Sequence, residues 1–294
     1  MSPSSRSAEH VRRLQAQAAR RERNRRLAMA GAAIGLVVVI VAALVIAKLA
    51  GGGSGNDNAT PPLHGAPQVV AKVASVPASV LDSVGAGAGV TLPKHFSGVP
   101  PLVSGGKPEV LYMGGEFCPY CAATRWGVAV ALSRFGTFSG LGLTSSASND
   151  IFPDTATLTF HGASYSSSYV TFHGYELSDR NHQVLDTPPG ADQAVFQKYD
   201  AAPYTSTAGT IPFVDLGGRY FLFGSAFDPQ ILQGLTHLQI ADDLAKPSSP
   251  VARAVDGEAN LMTAAVCQTT GQQPSSVCSS SGVKAAAARL ASGG

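Results

Sequence analysis

Apolar and polar positions change their spacing several times along the chain, and the changes mark out elements. The longest uninterrupted apolar stretch, Leu27–Ala47, runs 21 residues without a charge. At about 1.5 Å per helical residue it reaches roughly 30 Å, the depth of a bilayer core. Val110-Leu111-Tyr112-Met113 is an apolar run of strand length, followed by two glycines and by helical spacing from Ala122 to Phe135. Ser75 and Pro77 predict a helix start for Ala78–Val84, and Gly85–Gly106, rich in Gly and Pro, reads as a loop. Thr144–Asp154 is a polar loop, Thr155–Phe160 and Tyr169–Leu177 alternate as strands do, and Ala191–Tyr199 fits a short helix. Phe213–Leu216, Gly217-Gly218 and Arg219–Phe223 predict a hairpin with a two-glycine turn. Pro229–Ala245 predicts one further helix, its stripe running Ile231, Leu232, Leu235, Leu238, Ala241 and Leu244 with Ile240 outside it. Ala259–Val266 is also helical in pattern, and no internal repeat is present.

Charge sharpens the division. The first 26 residues hold eight arginines against Glu9 and Glu22; of 21 basic and 19 acidic residues in the chain this leaves 13 and 17, about −4 for the rest. The net +2 is therefore local, and the arm reads as a topology signal that also touches anionic lipid rather than as a nucleic-acid site. The positive-inside rule predicts that residues 1–26 are cytoplasmic, 27–47 a single transmembrane helix in the plasma membrane, and everything after Lys48 extracytoplasmic. A signal peptide, the competing reading, has a shorter apolar core of about 7–15 residues. Gly51–Pro67 reads as a flexible tether within a linker and pre-domain segment, 48–104. A folded domain is expected over 105–246 and a C-terminal helical extension over 247–294.

The candidate chemistry lies in Cys118-Pro119-Tyr120-Cys121, placed between the apolar strand and the helix. Unpaired N–H groups of a first helical turn favour negative charge, so the Cys118 thiolate is expected to be stabilised. Cys121 lies one turn on, within disulfide reach, and Pro119 suits a first turn because its missing N–H costs nothing there. Such a pair can cycle between dithiol and disulfide. The other two cysteines, Cys267 and Cys278, are expected to form a structural disulfide rather than a relay, because nothing around them marks a helix start. Four cysteines suit an oxidising compartment. Zinc across all four is not expected, since only one pair is close-spaced.

The order of strand, CxxC, helix, strands, X-Pro, hairpin and helix resembles the thioredoxin superfamily, an α/β fold here carrying insertions. That resemblance implies that Pro212, in Thr210-Ile211-Pro212-Phe213, is a cis proline lying against the active sulfurs, with Ile211 facing the substrate. Pro-Tyr between the cysteines matches glutaredoxins, and Glu116-Phe117 resembles the residues before a thioredoxin's first cysteine. One departure stands out: Tyr112 occupies the place, six residues before Cys118, of the buried Asp that relays a proton to the second cysteine. More narrowly, GKPEVLYMGGEFCPYCAATRWGVAVALSRFGTFSGL, IPFVDLGGRY and ANLMTAAVCQTTGQQPSSVC resemble a family of uncharacterised actinobacterial and archaeal membrane-anchored thioredoxin-like proteins.

The expected function is a membrane-anchored extracytoplasmic thiol–disulfide oxidoreductase, with Cys118 attacking and Cys121 resolving, and with Ile211 and Pro212 docking substrate. Its partners would be proteins with cysteines, a membrane redox partner, and lipid through the anchor, with no nucleic acid and no cofactor. The alternatives are a thioredoxin-like copper or metal chaperone and a non-catalytic thioredoxin-like envelope protein. Trp126 is expected against the sheet and Glu116 in solvent. His161 and His173, expected near one another on paired strands, read as surface or hydrogen-bonded histidines rather than metal ligands. No histidine follows Cys121, which excludes C-x-x-C-H haem attachment.

Overall fold

A computed structural model describes residues 66–293. The Arg-rich arm, the apolar stretch 27–47 and most of the tether lie outside the described residues. Among those described, no helix is long and apolar enough to cross a membrane.

The chain forms a mixed α/β structure. Two short helices, α1 (Ala66–Ala74) and α2 (Ala78–Val84), precede the short strands β1 (Lys94–His95) and β2 (Val103–Ser104). Then comes β3 (Lys107–Gly114), whose last six residues are buried on both faces, which is why it reads as a continuous apolar run instead of an alternation. It pairs in parallel with β8 (Thr171–Glu176) and antiparallel with β9 (Phe213–Leu216). β9 pairs with β10 (Tyr220–Phe223), which pairs with β1, while β2 turns back on the start of β3. Between β9 and β10 pairing resumes only at Tyr220, so the loop has Arg219 as well as Gly217 and Gly218; both glycines sit at positive φ, 73° and 70°.

The parallel step from β3 to β8 passes through α3 (Pro119–Ser133) and four short strands, β4 (Gly136–Ser139), β5 (Gly142–Ser145), β6 (Ala156–Thr159) and β7 (Ser164–Ser167). These pair as β4–β7 and β5–β6, outside the main sheet. β6 is fastened to α3 twice: Thr157 Oγ1 donates to the Ala122 carbonyl (2.7 Å) and Trp126 Nε1 to that of Ala156 (3.1 Å). Trp126 is thus buried against this flanking hairpin, in the cluster that also holds Tyr112 and Phe160. On the opposite face of the sheet, α4 (Gly190–Tyr199) covers a smaller core of Leu111, Met113, Phe213 and Phe221.

The stripe at 229–245 does not form one helix. It divides into a 3₁₀ turn, Pro229–Leu232, and α5 (His237–Asp243). Gly234 sits between them at φ 77°, and Thr236 restarts the chain with a capping box, its hydroxyl on the Gln239 N–H and the Gln239 side chain on its own N–H.

The segment expected as a C-terminal extension has a larger part in the fold. α6 (Pro250–Thr269) is buried along most of its length and packs on α3. Their approach is close: a Cβ on Gly127 would stand 2.2 Å from Glu258 Oε2. Asn260 Nδ2 donates to the carbonyls of Leu81 (2.7 Å) and Gly85 (2.8 Å), which holds the end of α2. A short turn, α7 (Ser275–Cys278), leads to α8 (Ser281–Ser292), where Arg289 reaches the carbonyls of Ala86, Gly87 and Val90. Cys267 and Cys278 are joined, with their Cα atoms 5.7 Å apart.

Candidate functional site at the start of α3

β3 ends at Gly114, and the chain turns through Gly115, Glu116 and Phe117 to place Cys118 as the N-cap of α3. An extended N-cap leaves its side chain facing the free amides of the first turn. Cys118 Sγ takes that role, accepting the Cys121 N–H at 3.2 Å. Its own thiol can donate to the Ile211 carbonyl, 4.0 Å away. Ile211 and Pro212, joined by a cis peptide, precede β9 and so meet the cysteine from across the sheet.

The two thiols differ in surroundings. Both are free; Cys118 is 5% exposed and Cys121 fully buried. Hydrogen bonding from the Cys121 thiol and amide, with the Arg125 guanidinium behind, draws the Cys118 thiol below the ordinary cysteine range against the opposing effect of burial. Burial, followed by the neighbouring Cys118 sulfur, pushes Cys121 well above that range. The arrangement therefore offers one thiol that ionises readily and one that stays protonated until its neighbour is consumed.

Arg125 is the residue that motif reading missed. It lies one turn beyond Cys121, fully buried, and its Nε donates to Glu176 Oε1 at 2.7 Å while Nη2 donates to the Gly115 carbonyl at 2.6 Å. Glu176, the last residue of β8, is also fully buried; burial raises its carboxyl pKa and Arg125 opposes the rise. A single arginine inside the otherwise uncharged stretch Ala122–Leu132 was the available signal. Glu116, expected in solvent, is 9% exposed and accepts the Thr144 hydroxyl at 3.2 Å. Its place in the turn between strand and helix, beneath the β5 edge, accounts for the difference. Tyr112 is wholly buried, with its hydroxyl against Gly114, where a Cβ would stand 2.1 Å from Oη. The hydroxyl has no hydrogen-bond partner among the described residues, and burial holds its pKa far up, so it is no ready substitute for a proton-relaying carboxylate.

Apolar groups rim the sulfurs. Phe117 stacks near His182 (centroids 4.2 Å), and Tyr120, 41% exposed, meets Phe152 edge-on. The two histidines expected on paired strands are not on such a pair: His161 follows β6, which pairs with β5, and contacts Asp186, whereas His173 lies on β8, which pairs with β3. Cys267 and Cys278 belong to the α6–α7 corner, bonded to each other and not to the α3 pair.

No curated protein and no solved structure matches the chain. Residues 99–268 match the family described as Domain of unknown function (DUF929), a span that takes in the Cys118–Cys121 turn, the Ile211–Pro212 segment and α6. The chain belongs to the DUF929 family.

Proposed function

We propose that this protein is a thiol–disulfide oxidoreductase of thioredoxin-like build, anchored by residues 27–47 with its folded domain outside the plasma membrane. The observation that carries the reading is the opposed ionisation of two thiols one helical turn apart, Cys118 drawn down and Cys121 pushed up. The sheet order around β3, with the Ile211–Pro212 peptide beside Cys118, supports the thioredoxin-like part of it.

In the proposed cycle the Cys118 thiolate attacks one sulfur of a substrate disulfide. A Cys118–substrate disulfide forms, the substrate S–S bond breaks, and the second substrate sulfur leaves as a thiolate. Cys121 then loses its proton and attacks Cys118 Sγ, which releases the first substrate sulfur as a thiolate and leaves Cys118–Cys121 oxidised. Run backwards, the same steps oxidise a substrate dithiol. Arg125 favours the thiolate form of both cysteines in turn. Phe117, Tyr120 and Ile211 give an unfolded segment an apolar edge to lie on, and the Ile211 carbonyl offers it a backbone acceptor.

The test is to express the Cys121→Ser variant in its native membrane and separate the proteins without reductant. Adducts that reductant dissolves and that vanish in Cys118→Ser support the proposal. No adduct, together with one copper ion held by the wild-type pair, would sink it in favour of a metal chaperone. No adduct and a disulfide inert to exchange would leave a non-catalytic envelope protein.

A further inference from the structure

A second group of reactive side chains lies far from the cysteines, on the α4 face of the sheet. Glu109 stands near the start of β3, and Gly114 ends that strand five residues later, roughly 16 Å away at strand rise. Alternation puts Glu109 on the same face as Leu111, and the register places His173 of β8 and Asp215 of β9 on either side of Leu111. Asp192, in the first turn of α4, comes down onto this face. Four elements thus bring an imidazole and three carboxylates together.

Their hydrogen bonding is incomplete in a particular way. His173 Nδ1 lies 3.0 Å from Asp192 Oδ2 and 3.1 Å from Glu109 Oε1. One ring nitrogen can carry at most one proton, and Nδ1 is hydrogen-bonded to Asp192 Oδ2, which also receives the Tyr175 hydroxyl at 2.7 Å. Glu109 Oε1 is left without a donor although the side chain is only 3% exposed. Behind it, Asp215 Oδ1 accepts the Gly218 N–H, and Oδ2 has no partner either. Among the described residues no lysine or arginine pairs with Glu109, Asp192 or Asp215, and the one imidazole near them is that of His173. A buried carboxylate oxygen without a donor has a lone pair free for a cation.

We propose that Glu109, His173 and Asp192 bind a divalent transition-metal cation of the zinc type, with Asp215 adding negative charge behind Glu109. One ligand atom from each of the three lies within 4.8 Å of the others. Their closest separations, 3.0 and 3.1 Å, equal the octahedral edge of roughly 3.0 Å around a cation bound at about 2.1 Å and lie a few tenths of an ångström inside the tetrahedral edge of roughly 3.4 Å. An imidazole ligand selects Zn²⁺, Co²⁺ or a similar ion over Ca²⁺, which takes oxygen ligands alone. Metal at Nδ1 displaces the ring proton and takes up the free lone pair of Glu109 Oε1, which answers the missing donor. The His173 side chain, 32% exposed, provides the way in from solvent. This site is independent of the thiol chemistry and stands or falls separately.

The test uses the full chain in detergent with Cys118→Ser and Cys121→Ser, so that thiolates cannot hold metal, stripped with chelator and titrated with CoCl₂ alone. One equivalent should bind, giving visible d–d bands without a thiolate charge-transfer band, and should raise the melting temperature. Asp192→Asn and Glu109→Gln should each lose that equivalent. His173→Gln changes a partly exposed side chain, and it should lose both the bands and the thermal shift even where a carboxylate variant fails to fold. Absence of binding at millimolar cobalt would overturn the proposal, leaving His173 hydrogen-bonded to Asp192 beside Glu109. An equivalent that survives His173→Gln would overturn it as well.

Discussion

At the scale of single residues, the site depends on a buried charge pair as much as on its sulfurs. Arg125 and Glu176 have fully buried side chains and contact each other through two hydrogen bonds. Removing one member leaves a buried charge alone, a loss of about 3–5 kcal/mol. Arg125→Met should therefore lose stability of that size in urea unfolding. Arg125→Met combined with Glu176→Met should recover most of it, because no isolated charge remains. Reactivity should separate from stability. In wild type, alkylation of Cys118 should be half-maximal below the ordinary thiol value of about 8.5. Both Arg125 variants should move that midpoint upward; an unmoved midpoint would show that the guanidinium has only a structural part. Cys118 and Cys121 were legible because a short spacing next to a helix start is itself the chemistry. Arg125 and Glu176 were not, since 51 residues separate them and only the β3–β8 pairing brings them together. His173 was read as a surface or hydrogen-bonded histidine, which agrees with its contact to Asp192; which carboxylates it meets was not legible, because they come from other elements.

At the scale of elements, α6 is the least ordinary, a long helix with carboxylates on buried positions. Burial pushes the Asp256 carboxyl up to about 8, with Arg134 opposing, and among the described residues neither carboxylate oxygen has a hydrogen-bond partner. The unfolded chain releases this proton near 3.8, the folded chain only near 8. Between those values the folded state holds more protons, so stability falls as pH rises, at up to about 1.4 kcal/mol per pH unit, and levels off above 8. Asp256→Asn should reduce the slope of unfolding free energy between pH 5 and 8 by roughly one proton; an unchanged slope would count against the buried ionisation. Patterning caught the elements with strong periodicity: the helix after the cysteines, the strands over Thr155–Phe160 and Tyr169–Leu177, and the 213–223 hairpin. It missed β4 and β7, whose sequences Gly-Thr-Phe-Ser and Ser-Tyr-Ser-Ser hold one large apolar side chain each, too few to show the alternation that their burial has. It joined 229–245 into one helix because periodicity alone does not register a glycine in left-handed backbone followed by a new cap.

At the scale of the whole molecule, the Cys267–Cys278 bond closes a short loop at the end of α6, worth about 3 kcal/mol by chain entropy. Changing both to serine should lower the melting temperature by roughly 6–12 °C for a domain of this size and leave thiol exchange near wild type. Lost exchange at unchanged stability would instead make the pair a relay. The proposed anchoring predicts that protease added to intact spheroplasts digests the domain and spares a short Arg-rich fragment; a domain left intact would reverse the orientation. The packing of α6 on α3 also bears on the order in which the chain can mature. Synthesis proceeds from the amino end, so the sheet and the cysteine-bearing helix are made well before residues 250–269. Until then the α3 surface that α6 covers lacks that partner. The cysteine-bearing helix is thus made well before it is enclosed.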